Sequence, residues 1–332
     1  MIPFEITRRF PTEASCIAYF RELKENKGLI CPTCKGTAFY WREKYISHDC
    51  KKCHYRITLR SGTVMESSKL PFHYWLYGMF MMTFPTKSFS AKDIQFHLRH
   101  KRYEPIWAML HKIRAAMGVH DSKYRLEGVV EVREICFNTQ KPNQSATETR
   151  CASNKHTAKN LISRQAKAQR SGSGRIATKP QCMVRVMASI GQGSKNAKSG
   201  QNDTTLHRVR MFVTQEEERQ RHKSETEPAV LLTTSGRLAF NAMKTISLQL
   251  PGIENNHIPG NKSVPWTRIM TWNAKRNING IHHNVLSSYL QRYLDEFTFK
   301  INRKALKAEW FEHLASLSVE NTWYDKQKYK SG

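Results

Sequence analysis

Apolar residues recur along the chain with two different periods, and the switches between them mark out its organisation. After the start signal Pro11-Thr12-Glu13, residues Ile17, Phe20 and Leu23 fall at helical spacing, which predicts a helix within the first 25 residues. Cys16 lies inside it as a small buried apolar residue. From 28 to about 59 the pattern shortens to strands and turns around four cysteines. Three helices are expected between 70 and 117. Trp75, Met79 and Met82 mark the first, Ser90-Ala-Lys-Asp opens a second carrying Ile94 and Leu98, and Ile106, Trp107, Leu110, Ile113 and Met117 form the stripe of the third. His111, Lys112 and Arg114 lie off that stripe. They give the third helix an expected basic outer face, a pattern shared by helix-turn-helix readers of the major groove and by ordinary three-helix bundles.

The second half alternates strand-like and helical stretches. A buried strand is expected at 128–137, with further strands at 182–190, 206–213 and 229–234. A polar helix near 215–223 separates the last two, and helices follow near 264–278, 286–301 and 305–317. Strands followed by helices in mixed order indicate an α/β domain. Between them, residues 138–180 contain nine Lys or Arg, one acid and no Phe, Tyr or Trp. Such a segment cannot offset its ordering entropy, so a disordered basic insert that grips phosphates is expected.

Charge narrows the partners. Lys and Arg number 54 against 27 acids, a net charge of +27, and the pI is about 9.9. An excess of this size points to a polyanion, because each neutralised phosphate releases condensed counterions. A membrane fits less well: there is no lipidation motif, no basic signal segment and no apolar run of about 18 residues. The most apolar stretch, 70–84, is too short to span and contains His73. DNA or RNA, met in the cytoplasm, is therefore the expected partner.

Of eight cysteines, Cys16, Cys136, Cys151 and Cys182 are scattered. The other four make two Cys-x-x-Cys pairs, Cys31/Cys34 and Cys50/Cys53, separated by fifteen residues. That is the ligand spacing of a structural Zn²⁺ site, and it favours metal binding in a reducing compartment over a disulfide framework. Each pair spans one edge of a tetrahedron, and residues 36–49 have the length of a hairpin joining the pairs. Four thiolates around one Zn²⁺ leave a charge of −2, which Lys35, Lys51, Lys52 and Arg56 offset. His48 and His54 flank the second pair and are expected at the surface.

Several motifs in order resemble one family. Phe10-Pro11-Thr12-Glu13-Ala14, the ribbon, and Arg60-Ser61-Gly62-Thr63-Val64 are similar to the N-terminus of ISXO-type bacterial insertion-sequence transposases. So are Ser68-Lys69-Leu70-Pro71 with Trp75, Met109-Leu110-His111-Lys112-Ile113-Arg114, Asn273-Ala274-Lys275-Arg276, Gly280-Ile281-His282-His283, the run from Tyr289 to Phe297, and Phe299-Lys300-Ile301-Asn302-Arg303. The likeness covers about 9–304, weakly over 138–228. It implies a multidomain α/β protein: an N-terminal helix and zinc ribbon (1–60), a helix-turn-helix-like DNA-binding segment (61–125), an RNase H-like core (126–304) with the basic insert, and a C-terminal helix and tail (305–332). It also implies double-stranded transposon-end DNA as partner, a possible homo-oligomer, and two Mg²⁺ held by carboxylates for strand cleavage and transfer.

At the family's catalytic positions this chain departs. The first aspartate follows Val-Glu-Val in the family; here the strand reads Val130-Glu131-Val132-Arg133-Glu134. The second aspartate corresponds to Ser235 in Thr234-Ser235-Gly236, and a histidine after Pro-Trp-x corresponds to Arg268. Lys275 alone is retained. A guanidinium has no lone pair for a metal, and a unit positive charge 4 Å from Mg²⁺ costs ~8 kcal/mol at an effective dielectric of 20. Ser235 is a poor ligand for a hard cation, and Glu131 lies ~6.6 Å along the strand from Arg133. Binding without cleavage is expected, with Mg²⁺ not held. DNA contacts are expected from residues 60–117, with His111, Lys112 and Arg114, and from Lys275 and Arg276. Asp295 and Glu296 are expected to pair with Arg292, and Trp266 and Trp272 to be packing aromatics. Two alternatives stay open: an active two-metal transposase whose ligands lie elsewhere, and a non-enzymatic regulator or decaying product.

Overall fold

In a computed structural model, several helices begin where a side chain satisfies their first N–H groups. The structure describes residues 3–84, 88–124, 126, 129–139, 181–195, 202–213, 231–234, 255–257, 265–282, 285–303 and 309–323. Residues 140–180 of the basic tract, the helix expected near 215–223 and Ser235 lie outside them.

A short helix α1 (Pro3–Arg9) precedes α2 (Glu13–Asn26), where Thr12 and Ser15 form a reciprocal capping box. Next comes a three-stranded antiparallel sheet, β1 (Phe39–Arg42), β2 (Ser47–Cys50) and β3 (Arg56–Thr58). Helices α3 (Phe72–Met82), α4 (Ala91–His97) and α5 (Glu104–Ser122) follow. Pro71 cannot cap α3 with its side chain. Glu13 reaches over from α2 instead and accepts from the backbone N–H groups of Phe72 (2.6 Å) and His73 (3.1 Å). Ser90 and Asp93 make a second capping box on α4.

The five-stranded sheet has the order β6-β5-β4-β7-β8. Its members are β4 (Val129–Asn138), β5 (Gln181–Lys195), β6 (Asn202–Val213), β7 (Leu231–Thr234) and β8 (Asn255–His257). Strands β4 to β6 pair antiparallel, whereas β4–β7 and β7–β8 are parallel. Helices α6 (Pro265–His282) and α7 (Leu290–Asn302) pack on one face, and α8 (Trp310–Glu320) follows. Strand alternation sorts the faces. Ile135, Phe137, Val184, Val186, Val209 and Met211 meet Met270, Ala274, Ile278 and Leu294 of α6 and α7. Val130, Val132, Met187 and Phe212 turn to the other side.

Strand β6 is a sheet edge, and two side-chain amides of α7 occupy its outward backbone groups. Asn302 accepts from the N–H of Val209 (2.8 Å) and donates to its carbonyl (3.0 Å); Gln291 does the same at Val213 N–H (2.8 Å) and Met211 carbonyl (3.0 Å). An edge closed in this way cannot template another strand. Helix α8 returns to the N-terminal helices. Phe311, Leu314, Ala315 and Leu317 share a core with Phe20, Trp75, Met79 and Met109, and Val64 N–H donates to the Ser318 carbonyl (3.0 Å).

Candidate functional site

The cysteines form two knuckles of the same shape. In each, the residue after the second cysteine turns back to the first: Lys35 N–H donates to the Cys31 carbonyl and His54 N–H to the Cys50 carbonyl, both 3.0 Å. Lys35 and His54 accordingly adopt positive φ, 59° and 57°. Gly36 follows the first knuckle, where a Cβ would stand 3.3 Å from the Cys34 sulfur. The strand pairing Phe39↔Cys50 brings the knuckles together. All four Sγ atoms lie within 4.8 Å of one another, with Cys31–Cys53 at 3.4 Å and Cys34–Cys50 at 3.5 Å. Burial opposes the Cys31 thiolate, but the N–H groups of Cys34 and Thr33 outweigh it and bring the thiol down to about 6. At Cys53 the Tyr55 N–H favours the thiolate, yet burial and the neighbouring sulfurs push it up to about 12. Without a cation the cluster resists its full negative charge; with one it is a ligand set. Among the described residues, no other group of three or more His, Cys, Asp or Glu side chains converges in this way.

The ribbon is anchored rather than hanging from the chain. Lys24 of α2 is buried and donates to the carbonyls of Thr58 (2.8 Å), Leu59 (3.1 Å) and Ser61 (2.7 Å). His48, expected at the surface, is buried between Trp41 and α2 and hydrogen-bonds Glu25 at 3.0 Å. Its place on β2, facing α2, excludes it from the sulfur cluster. His54 is the exposed one.

The expected outward basic face of α5 does not form. Residues 113–117 are all buried, which is possible only if neighbours surround the helix. Arg114 is 2% exposed and bonds Glu296 of α7 at 2.8 Å. His111 packs against Trp107, Tyr289 and Tyr293; burial, reinforced by Arg114, pushes it down to about 3. Lys112 donates to the Glu66 carbonyl (2.6 Å) and lies over Trp323. The physical reason is the docking of α7, which sequence periodicity on α5 cannot anticipate. Glu296 likewise pairs with Arg114 and with Lys300 (2.7 Å), not with Arg292. Asp295 accepts from the Gln291 amide (2.8 Å), and burial raises it to about 7.

On the β4 face covered by α6, Arg133 sits half-buried between Glu131 and Ile135. Glu131 is committed elsewhere. Its buried carboxylate accepts the Thr267 N–H at 3.0 Å, filling the first turn of α6. Burial raises its pKa against that hydrogen bond. Lys275 lies two turns further along α6, its ammonium 5.5 Å from the Phe137 ring centre. Phe137 is about 13 Å along β4 from Arg133. Strand β7 ends at Thr234, paired with Val132. Arg268 and Arg276 are exposed on the far side of α6.

Two features escape the sequence reading. Trp272, expected to pack, is 70% exposed on α6, whereas Trp266 does pack against the sheet. Phe96, near the end of α4, is 80% exposed, and the turn from α4 to α5 exposes Arg99, Lys101 and Arg102. The signals were present: Trp272 lies opposite Met270 and Ala274 on a helical projection, and Arg99-His100-Lys101-Arg102 is a basic run between two helices.

No described helix is long and apolar enough to cross a membrane. No curated protein matches the chain, and no solved structure does. A family model, the ISXO2-like transposase domain, matches residues 125–302, which takes in the whole five-stranded sheet with α6 and α7. The chain belongs to the ISXO2-like transposase family.

Proposed function

We propose that this protein binds DNA as a transposase of its family but does not cleave or join it. The observation that carries the reading is Arg133, a cation on β4 where the family motif holds its first metal-binding aspartate. The residues around it do not fit Mg²⁺. Glu131, the nearest acid on that face, already caps α6, and Arg268 lies one residue beyond the capped Thr267. The sheet order, with three antiparallel strands followed by two parallel ones, supports an RNase H-like core. The architecture is that of the enzyme, without its anionic cage.

DNA binding rests on the exposed cations. Arg268 and Arg276 on α6, together with Arg99, Lys101 and Arg102 in the α4–α5 turn, present positive charge to solvent. His111 and Arg114 do not contribute, because burial holds them away from a phosphate. The ribbon holds Zn²⁺ as a structural ion: four sulfurs about 2.3 Å from a tetrahedral zinc stand about 3.8 Å apart, close to the spacings of the cluster. Zinc there fixes the knuckles on α2 and does no chemistry.

The test is a pair of measurements on the full chain with terminal-repeat DNA. Affinity is expected to fall about 10³–10⁵-fold between 50 and 200 mM salt if six to ten phosphates are contacted, and nicking with Mg²⁺ or Mn²⁺ is expected to be absent. A flat salt response refutes DNA binding. Robust nicking, abolished by replacing an acid such as Glu131, refutes the loss of catalysis.

A further inference from the structure

The outer face of α6 combines an exposed indole with cations. At about 100° per residue, Arg268, Trp272 and Arg276 fall within about 80° of arc, and Asn279 joins them. The buried residues Thr267, Met270, Ala274 and Ile278 occupy the opposite side. Trp272 thus stands in the middle of a stripe with one arginine about 6 Å before it along the axis and another about 6 Å after it. Helix α6 contains no Asp or Glu, and among the described residues no acid pairs with Arg268 or Arg276. A 70%-exposed Trp leaves a large flat apolar surface in water.

We propose that this stripe binds an unstacked nucleobase, Trp272 stacking on the base and Arg268 and Arg276 taking the phosphates on either side. The inference rests on the DNA-binding reading above and names the part of the DNA that α6 contacts. Two like charges flanking an aromatic disfavour an apolar protein partner, whose docking would desolvate both guanidinium groups. A nucleotide matches them: every base has a flat π face, and its own backbone supplies anions beside it. In an intact duplex the faces are covered by neighbouring base pairs and only the edges are open. The indole therefore needs a base that is unpaired or drawn out of the stack.

Fluorescence anisotropy on the full-length protein tests this with three labelled probes: a fully paired duplex, the same duplex with one unpaired nucleotide, and that duplex with the unpaired position abasic. The wild type is expected to bind the probe with the unpaired base most tightly. Trp272→Ala is expected to remove about 5- to 150-fold of that affinity and to leave the paired and abasic probes within twofold. Trp272→Phe retains most of the preference. Arg268→Ala and Arg276→Ala weaken all three probes together and lower the salt slope by about 1 each. Circular dichroism establishes that each variant is folded, as the exposure of these side chains leads one to expect. A wild type without preference for the unpaired base, or a preference that survives Trp272→Ala, overturns the proposal while paired-duplex binding upholds DNA binding itself. A change in sedimentation of Trp272→Ala with an unchanged preference also overturns it, marking Trp272 as a contact between copies. Failure to bind any probe overturns both readings.

Discussion

Helices α5 and α6 each carry three basic side chains off their apolar stripes: His111, Lys112 and Arg114 on one, Arg268, Lys275 and Arg276 on the other. In sequence the sets are alike. In the fold, Glu296 and Tyr293 of α7, with Tyr289 just before it, cover His111 and Arg114, and Glu66 and Trp323 engage Lys112, while nothing among the described residues covers Arg268 and Arg276. Burial pushes His111 towards neutrality and makes Arg114 half of a structural ion pair. Exposure leaves the α6 arginines for a ligand. A basic residue on a helix acquires its role from what approaches it, not from its position on the wheel.

The contrast is sharpest at Glu296. Burial alone would raise its pKa, but Lys300 and Arg114 outweigh burial and hold the carboxyl well below the usual range. Glu296→Ala takes the shared carboxylate away from buried Arg114 and Lys300 and is expected to cost about 3–5 kcal/mol of stability, read as a lower midpoint in urea. A loss below about 1 kcal/mol would mean that α5 and α7 are not locked by this network.

His111 gives the comparison a pH dependence. Its folded pKa, about 3, lies below the ordinary 6.5, so the unfolded chain binds the extra proton first. Stability is complete above 6.5 and falls as pH drops towards 3, by up to about 1.4 kcal/mol per pH unit for one group. His120 and His282, both about 4 through burial and nearby arginines, act in the same direction. Denaturation between pH 7 and 4 is expected to show the fall, and His111→Phe to flatten it by about one proton. An unchanged slope in that variant would show His111 to be solvated.

Gly118 tests how closely α5 and α7 approach. A Cβ there would meet the Asp295 Oδ2 at 2.5 Å, so Gly118→Ala is expected to destabilise by about 1–3 kcal/mol despite the better helix former. A stabilised variant, measured by the same urea titration, would mean the helices can part without cost. The smallest effect belongs to α6: Arg276→Ala is expected to change stability by no more than about 0.5 kcal/mol. The same substitution lowers the salt slope of DNA binding by about 1. A destabilisation comparable to that of Glu296→Ala would erase the distinction between the helices.

Much of the fold was legible beforehand, and particular residues show why. Thr12 and Ser90 announce α2 and α4 because a cap is a local event, satisfied within four residues. The alternation through Val130, Val132 and Ile135 announces β4, since a strand buried on both faces needs apolar residues on both. The knuckles follow from Cys-x-x-Cys spacing. Glu131 was legible as an acid near Arg133 but not as the cap of a helix 136 residues later. Trp272 was misread because an aromatic at helical spacing carries no mark of which side the sheet will take.

Alone, the sequence determined the cysteine ligand set, the large positive charge and the arginine at the family's aspartate position, because identity and close spacing suffice for each. Tertiary structure decided which cations are structural and which are available to a phosphate. Arg114 meets Glu296 across 182 residues of chain, and the sign and desolvation of a charge depend on neighbours that only folding brings within a few ångströms.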